Sequence, residues 1–301
     1  MQAWDQFKKS LHKTHYYASG YWEQLFPNAY WRAKINARLA KFQHLSASEQ
    51  AAILARVNYC NKLDAPFPRD TRLCDGYQLY KGKKSVAYEI DLYRMLRLFP
   101  DSVNVSYWFG DIVDVPDYPT LLKSRPIIEG SGNANSVLMK FNKIRHYYVV
   151  DDKKEFKHKI PQLVWRGKSN QPERVEVLKT FFNSHLCNVG DTHNPQHITE
   201  YARGFMSIPE QLNYRYILSV EGNDVATNTK WIMASQSVCF MRKPRFETWF
   251  MEGALIPDYH YVQIKDDYSD LEEKIDYYNA HPEEARKQFL KWLVGGSNEF
   301  T

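Results

Sequence analysis

Paired cysteines, long apolar runs, metal-holding acidic motifs and a strong charge of one sign are all missing from this chain, and each absence removes a class of protein. The four cysteines, Cys60, Cys74, Cys187 and Cys239, stand far apart with no C-x-x-C pair and no metal-ligand spacing. They read as free thiols of a reducing compartment, which excludes a disulfide scaffold and a zinc module. No stretch approaches the roughly 18 apolar residues of a membrane-spanning helix, and the opening residues Met1 to Lys9 lack the apolar core of a secretory signal. The expected location is therefore cytoplasmic, with at most a peripheral membrane association. The formal charge of +5 comes from 40 basic and 35 acidic residues, too even a balance for a dedicated nucleic-acid binder. There is no internal repeat and no low-complexity tract, so a solenoid or a long linker is not expected.

What the chain does have is length, aromatic rings and an uneven placement of its charge. At 301 residues it is long for one domain and short for three, and two domains sharing a cleft is the natural reading. Its 21 Tyr, 16 Phe and 8 Trp serve core packing first, although sugar sites also favour rings that stack on the C–H face of a pyranose. Residues 1–41 hold Lys8, Lys9, Lys13, Arg32, Lys34, Arg38 and Lys41 against only Asp5 and Glu23, so this arm carries the whole excess. The same arm holds Trp4, Tyr16, Tyr17, Tyr21, Trp22, Tyr30 and Trp31. A basic, aromatic arm suits an anionic lipid surface or an acidic glycolipid; the plainer reading is a solvated face.

The texture changes along the chain. Ser46-Ala47-Ser48-Glu49 forms a capping-box pattern opening a helix to about Lys62, and a second helix is expected from Ser85 to Leu98, before Pro100. Val103 to Phe109 reads as a strand ended by Gly110 and a loop rich in Asp and Pro. From about residue 160 strands and helices alternate. Strands are expected at Gln162–Arg166, Tyr216–Val220, Val238–Met241 and His260–Gln263, and helices at Glu173–Phe182 and Ala226–Ser235. A second capping box at Ser269–Glu272 and a last helix between Pro282 and Gly295 complete the pattern. Such alternation gives a mostly parallel sheet covered by helices, in two α/β halves.

In open parallel sheets ligands bind beyond the carboxyl ends of the strands. Two loops qualify. Trp165 to Arg174 is a strand end followed by a polar loop with cations, and Arg supplies a planar fork suited to a diphosphate. Val220 to Lys230 turns at Gly222 into a helix start, where N–H groups and Lys230 can face an anion; it has neither P-loop nor G-x-G-x-x-G spacing. Asp111, Asp114 and Asp117 share the Pro-rich loop after the first-half strand. Each is either a proton acceptor or a turn cap. His146 and His260 read as structural. The nearest match to an Asp-x-Asp metal motif, Glu89-Ile90-Asp91, falls inside an expected helix, the wrong place to hold a metal ion on a diphosphate.

The order of these pieces carries more than any one of them. Trp165-Arg166-Gly167, Pro172-Glu173-Arg174, Tyr214-Arg215-Tyr216 leading to Glu221-Gly222 and Lys230, then Glu247, His260-Tyr261-Val262 and Tyr268-Ser269-Asp270-Leu271 resemble the donor half of glycosyltransferase family 90. Phe109 to Pro116, Lys123 to Ile127 and Asn142 to His146 resemble its bacterial lipopolysaccharide branch in particular, and the likeness spans roughly residues 90–280. The resemblance implies an α/β fold of the GT-B type, with two Rossmann-like halves and an interdomain cleft. Residues 1–155 would form the acceptor half with its basic arm. Residues 156–301 would form the donor half, the last helix packing back on the first. It implies inverting transfer of a hexose from a UDP-sugar, UDP-glucose or UDP-galactose, to a lipopolysaccharide core, without a metal or other cofactor. Asp111 matches the family's catalytic base. Arg174 matches a diphosphate contact, with Trp165, Arg166, Gly167, Glu221, Gly222, Lys230 and Glu247 as the remaining donor-site set. Eukaryotic protein O-glucosyltransferases of the family place an Arg where this chain has Asn228, which leaves that charge to Lys230 or Arg166. Other readings are a transferase acting on capsule glycan or protein Ser, and a non-catalytic module binding glycan or an anionic polymer.

Overall fold

The computed structural model describes residues 2–67, 80–81, 85–101, 103, 105–148, 150–192 and 200–285, with the side chains of 2–9 and 80–81 left aside. The chain divides into two compact units. The first comprises residues 1–145 and 246–251, the second residues 146–245 and 252–301. Both are mixed α/β with parallel sheets.

The first unit begins with helices α1 (Gln2–Trp22), α2 (Asn28–Phe42) and α3 (Ala47–Cys60). The capping box expected at Ser46 is formed: Ser46 Oγ accepts from Glu49 N at 3.3 Å, and Glu49 Oε2 accepts from Ser46 N at 2.8 Å. Four parallel strands follow in the order β1 (Tyr80–Lys81), β2 (Ser106–Trp108), β3 (Thr120–Leu122), β5 (Ser136–Leu138). Helix α4 (Val86–Leu96) turns Tyr88, Leu92 and Leu96, one helical face at four-residue spacing, onto Phe109 and Phe141. Each such buried side chain contributes about 1.5–3 kcal/mol. Strand β4 (Ser124–Pro126) pairs antiparallel with β10 (Phe246–Thr248). The boundary between the units falls within the single-turn α5 (Lys143–His146).

The second unit is built on five parallel strands: β6 (Ile160–Gly167), β7 (Cys187–Asp191), β8 (Tyr214–Ser219), β9 (Val238–Met241) and β11 (Val262–Gln263). Their order across the sheet is β7-β6-β8-β9-β11. Helices α6 (Pro172–Phe181), α7 (Ile208–Gln211), α8 (Thr229–Met233) and α9 (Leu271–Ala280) connect or follow them. Leu163, Val189, Leu218, Phe240 and Val262, one from each strand, meet Val177, Leu178, Leu271 and Ile275 in one core.

Several expectations are corrected. Strand β7 was not anticipated, because Asn188 and Gly190 interrupt its apolar pattern; Gly190 is required there, since a Cβ would lie 2.5 Å from the Arg203 side chain. Helix α8 is shorter than Ala226–Ser235 because Asn228 is tied back to the strand, donating Nδ2 to Leu218 O at 3.0 Å and accepting from Ser219 Oγ at 3.2 Å. The capping box at Ser269–Glu272 does not form. Asp270 is the N-cap instead, and its carboxylate accepts from Lys265 N at 2.9 Å and pairs with Lys274 Nζ at 3.2 Å. A capping box appears at Ser207 and Glu210, unanticipated. The expected last helix starts at Pro282 and runs through Ala285; its continuation and its packing lie outside the described residues. No described helix is long and apolar enough to cross a membrane.

Candidate functional site

Numbered by appearance within the second unit, the sheet runs 2-1-3-4-5. The chain leaves β6 to build β7 on one side and β8 on the other, so the carboxyl ends of β6 and β8 border the topological switch point, where open α/β sheets bind their ligands. The two loops named from sequence emerge there.

Arg174, in the first turn of α6, spans both. It donates Nε to Glu221 O at 3.2 Å, Nη2 to Val220 O at 3.4 Å, and Nη1 to Lys168 O and Asn170 Oδ1, each at 3.4 Å. These four contacts are at or beyond the long end of the hydrogen-bond range, and they aim the guanidinium across both loops. An anion at this point would compete well for its donors. Gly222 lies against it, and a Cβ at that position would sit 2.9 Å from Arg174 Nη2. The glycine is there for close approach.

The neighbouring charges are cross-braced. Arg245 donates its backbone N to Glu221 Oε1 at 3.0 Å and Nε to Oε2 at 2.8 Å, while its Nη2 reaches Glu173 at 3.0 Å. Arg242 stands 3.7 Å from the same Glu173 carboxylate. Burial alone would lower the Arg245 pKa, but the bonds to Glu221 and Glu173 outweigh it and the net shift is upward. Glu173 is held below the usual carboxylate range, first by its own backbone N–H at the helix start and then by Arg245. Arg242 and Arg245 were not singled out from sequence. The available signal was three cations in the four residues Arg242-Lys243-Pro244-Arg245 directly after the buried strand β9.

The other residues proposed from sequence have different surroundings. Trp165 is in the core, 3% exposed, and Gly167 is pressed to its ring, where a Cβ would come within 2.4 Å. Arg166 turns toward β7: Nη1 donates to Asn188 O at 2.7 Å and Nη2 to Asn188 Oδ1 at 2.8 Å. Burial, and then the nearby Arg203 guanidinium, push the Arg166 pKa down. Lys230 is buried and donates to Glu252 Oε1 at 2.6 Å, with the Tyr147 ring 5.9 Å away. Glu247 belongs to the first unit, where it accepts from Arg125 Nε at 2.8 Å and from the Tyr59 hydroxyl. The structure thus brings Arg174, Glu221 and Gly222 together and adds Arg242 and Arg245. It sets Trp165, Arg166, Lys230 and Glu247 in contacts of their own.

In the first unit, Asp111 follows β2 after Gly110, whose φ of +113° only glycine adopts readily. Lys123, just past β3 and 1% exposed, donates Nζ to Asp111 Oδ1 at 2.6 Å. Asp111 itself keeps 39% of its side chain accessible. A buried ammonium thus orients an accessible carboxylate beyond the carboxyl ends of parallel strands. Asp114 and Asp117 are exposed farther along the same loop. Glu89 and Asp91 lie within α4, as expected. His146 is buried, and His260 Nδ1 accepts from Ile256 N at 2.8 Å, closing a turn.

Residues 131–289, more than half of the chain, match glycosyl transferase family 90. The chain is 42% identical to the O-glucosyltransferase LpsA of Dichelobacter nodosus, over 96% of its own length and 91% of that protein's. It is 28% identical to protein O-glucosyltransferase 2 of Danio rerio over 47% of this chain and 31% of the relative, and 25% identical to human protein O-glucosyltransferase 3 over 43% and 26%. The matched segment contains the whole switch-point cluster and begins after Asp111. With a family match over half its length and a full-length relative at this identity, the chain belongs to glycosyl transferase family 90.

Proposed function

We propose that this glycosyltransferase is an inverting, metal-independent hexosyltransferase of the GT-B type that moves a hexose from a UDP-sugar to a lipopolysaccharide core acceptor at the cytoplasmic side of the membrane. The observation that carries the donor assignment is Arg174, aimed by long contacts across the two loops at the switch point of a parallel sheet. A nucleoside diphosphate needs charge-assisted donors at such a place, and Arg242 and Arg245 add cations beside it. The names of the relatives, all O-glucosyltransferases, favour UDP-glucose over UDP-galactose.

The chemistry follows from charge. In this reading the acceptor hydroxyl loses its proton to the Asp111 carboxylate while its oxygen bonds to the anomeric carbon from the face opposite the nucleotide. The bond from that carbon to the diphosphate breaks, and UDP leaves with the electron pair. Lys123 keeps the carboxylate in one orientation. Arg174 faces the charge that grows on the leaving diphosphate, the task a metal ion performs in metal-dependent transferases.

Calorimetry with UDP, and slow release of UDP from UDP-glucose without acceptor, test this reading. A purely glycan-binding module does neither, and such a result would refute the transferase assignment. An acceptor panel of lipopolysaccharide core, capsule glycan and a Ser-containing protein domain fixes the second substrate.

A further inference from the structure

Between α1 and α2 the first unit exposes a run of large apolar side chains. Tyr21 is 57%, Trp22 64%, Leu25 72% and Phe26 37% exposed, and Tyr30, in the first turn of α2, is 44% exposed. They form one patch. Trp22 meets Phe26 edge-on with centroids 6.3 Å apart, Phe26 stacks on Tyr30 at 5.5 Å, and Tyr30 meets Trp31 at 5.0 Å. Helix α2 contains no buried residue at all.

The two carboxylates near this patch are paired, Glu23 with Arg94 and Arg97 and Asp101 with Arg32, and the charge along α2 itself is of one sign. From Gln24 to Ser48 there is no Asp or Glu, while Arg32, Lys34, Arg38 and Lys41 all fall in α2. Arg32 is engaged with Asp101 at 2.5 Å and with Phe99 O, holding the start of α2 near the end of α4. Arg38 and Lys41 project from exposed positions on the same helix.

Three kinds of partner could cover an aromatic, cationic surface, and the geometry separates them. A sugar-stacking platform needs open ring faces, but Lys34 Nζ lies 4.8 Å from the Tyr30 centroid and Arg97 Cζ 3.6 Å from that of Trp31, while Phe26 covers Tyr30. A second copy of this chain would bring one acid-free cationic helix toward another, which opposes association. An anionic lipid surface answers both features: Trp, Tyr and Leu side chains enter the headgroup boundary and the cations meet the phosphates. We infer that the turn between α1 and α2, with the exposed side of α2, is a docking surface for anionic membrane, presenting Trp22, Leu25 and Phe26 as the inserted residues and Arg38 and Lys41 as headgroup contacts.

The test uses the full-length protein and sedimentation with vesicles of phosphatidylcholine alone or with about one third phosphatidylglycerol. The parent chain binds the anionic vesicles at low salt and is released by high salt. Arg38→Glu/Lys41→Glu weakens binding at least about 25-fold, each surface cation contributing about five-fold. Trp22→Ser/Leu25→Ser weakens it at least about ten-fold through lost insertion. Because these side chains are exposed, both variants keep the parental melting temperature and UDP affinity. The inference is overturned if the parent does not prefer anionic over neutral vesicles, or if either double variant binds as the parent does. It is equally overturned if sedimentation equilibrium shows a dimer that Trp22→Ser/Leu25→Ser dissolves, since the patch would then be a self-association surface.

Discussion

Replacing Gly222 by Ala separates the role of Arg174 in ligand binding from any role in folding. The added Cβ would stand 2.9 Å from Arg174 Nη2, where ordinary contact begins at 3.4 Å. The atom that must yield is the far end of a flexible side chain, and moving it by about 0.5 Å lengthens contacts that already stand at 3.2–3.4 Å. Gly222 also has no positive φ that Ala would strain. Folding stability should therefore be unchanged, while the guanidinium is displaced from its aim. A charge-assisted hydrogen bond contributes about 1.5–3 kcal/mol, so outright removal in Arg174→Ala should raise the dissociation constant of UDP by about 10- to 150-fold. Gly222→Ala should fall between parent and Arg174→Ala. Arg174→Lys should recover part of the loss, because a point charge replaces a fork. Isothermal calorimetry with UDP, alongside thermal denaturation, reads both quantities. The reasoning is refuted if Arg174→Ala binds UDP within two-fold of the parent, or if Gly222→Ala lowers affinity only in proportion to lost stability.

Asp111→Asn keeps the size of the side chain but removes the proton acceptor, so turnover should fall by about 10²–10⁴ with UDP affinity unchanged; Asp114→Asn should do far less, and equal effects of the two would argue against Asp111 as the base. Glu247→Gln leaves the buried Arg125 without its counter-charge and should cost about 3–5 kcal/mol of stability by denaturant titration. A loss of UDP affinity at parental stability would instead return Glu247 to the donor site. Glu23 pairs with Arg94 and Arg97; burial alone would raise its pKa, but these bonds outweigh it and hold it below the ordinary 4.5. Its contribution is thus complete above pH 4.5 and lost as pH falls through the depressed value. Melting curves across that acid range should show a drop that Glu23→Gln lacks.

The parallel sheet of the second unit was legible because its strands are short buried apolar runs separated by helix-starting signals. Val238–Met241 matches the expected bounds, β6 extends its span at both ends, and β8 starts two residues earlier than expected and ends one residue short. The helix at Ser46 was legible for a local reason, since a capping box is satisfied within four residues. The same logic failed at Ser269, because Asp270 finds better partners in Lys265 N and Lys274, the latter one helical turn along the chain. Strand β7 was hidden because Asn188 and Gly190 are chosen by contacts with Arg166, Arg203 and Tyr214, which are remote in sequence. Among site residues, Arg174 and Gly222 were visible as a cation and a glycine in two separate loops. Their contact depends on β6 and β8 being neighbours, which periodicity does not reveal. Arg242 and Arg245 were passed over because a Lys-Pro step between two arginines reads as an ordinary exposed turn.

The segment Phe246–Met251 explains why Glu247 and Lys230 entered the same sequence pattern as the donor loops. The chain leaves the second unit after Arg245, contributes one strand to the first, and returns at Glu252. Each end of that excursion is fixed by a buried carboxylate. Glu247 takes Arg125, whose remaining donors go to Tyr59 O at 2.6 Å, Ser136 O at 3.0 Å and Cys60 O at 3.3 Å. Glu252 takes Lys230 at 2.6 Å. Buried ion pairs gain little net stability over apolar packing, but the loss of either partner is costly, so both members are constrained together. In a sequence pattern such pairs stand beside Arg174 with equal weight. Their surroundings differ: Lys230 and Glu247 meet a full opposite charge inside their own unit, whereas Arg174 reaches backbone and amide oxygens of both switch-point loops. In the proposed reading it is therefore Arg174, which spans both loops at the switch point, that meets the diphosphate.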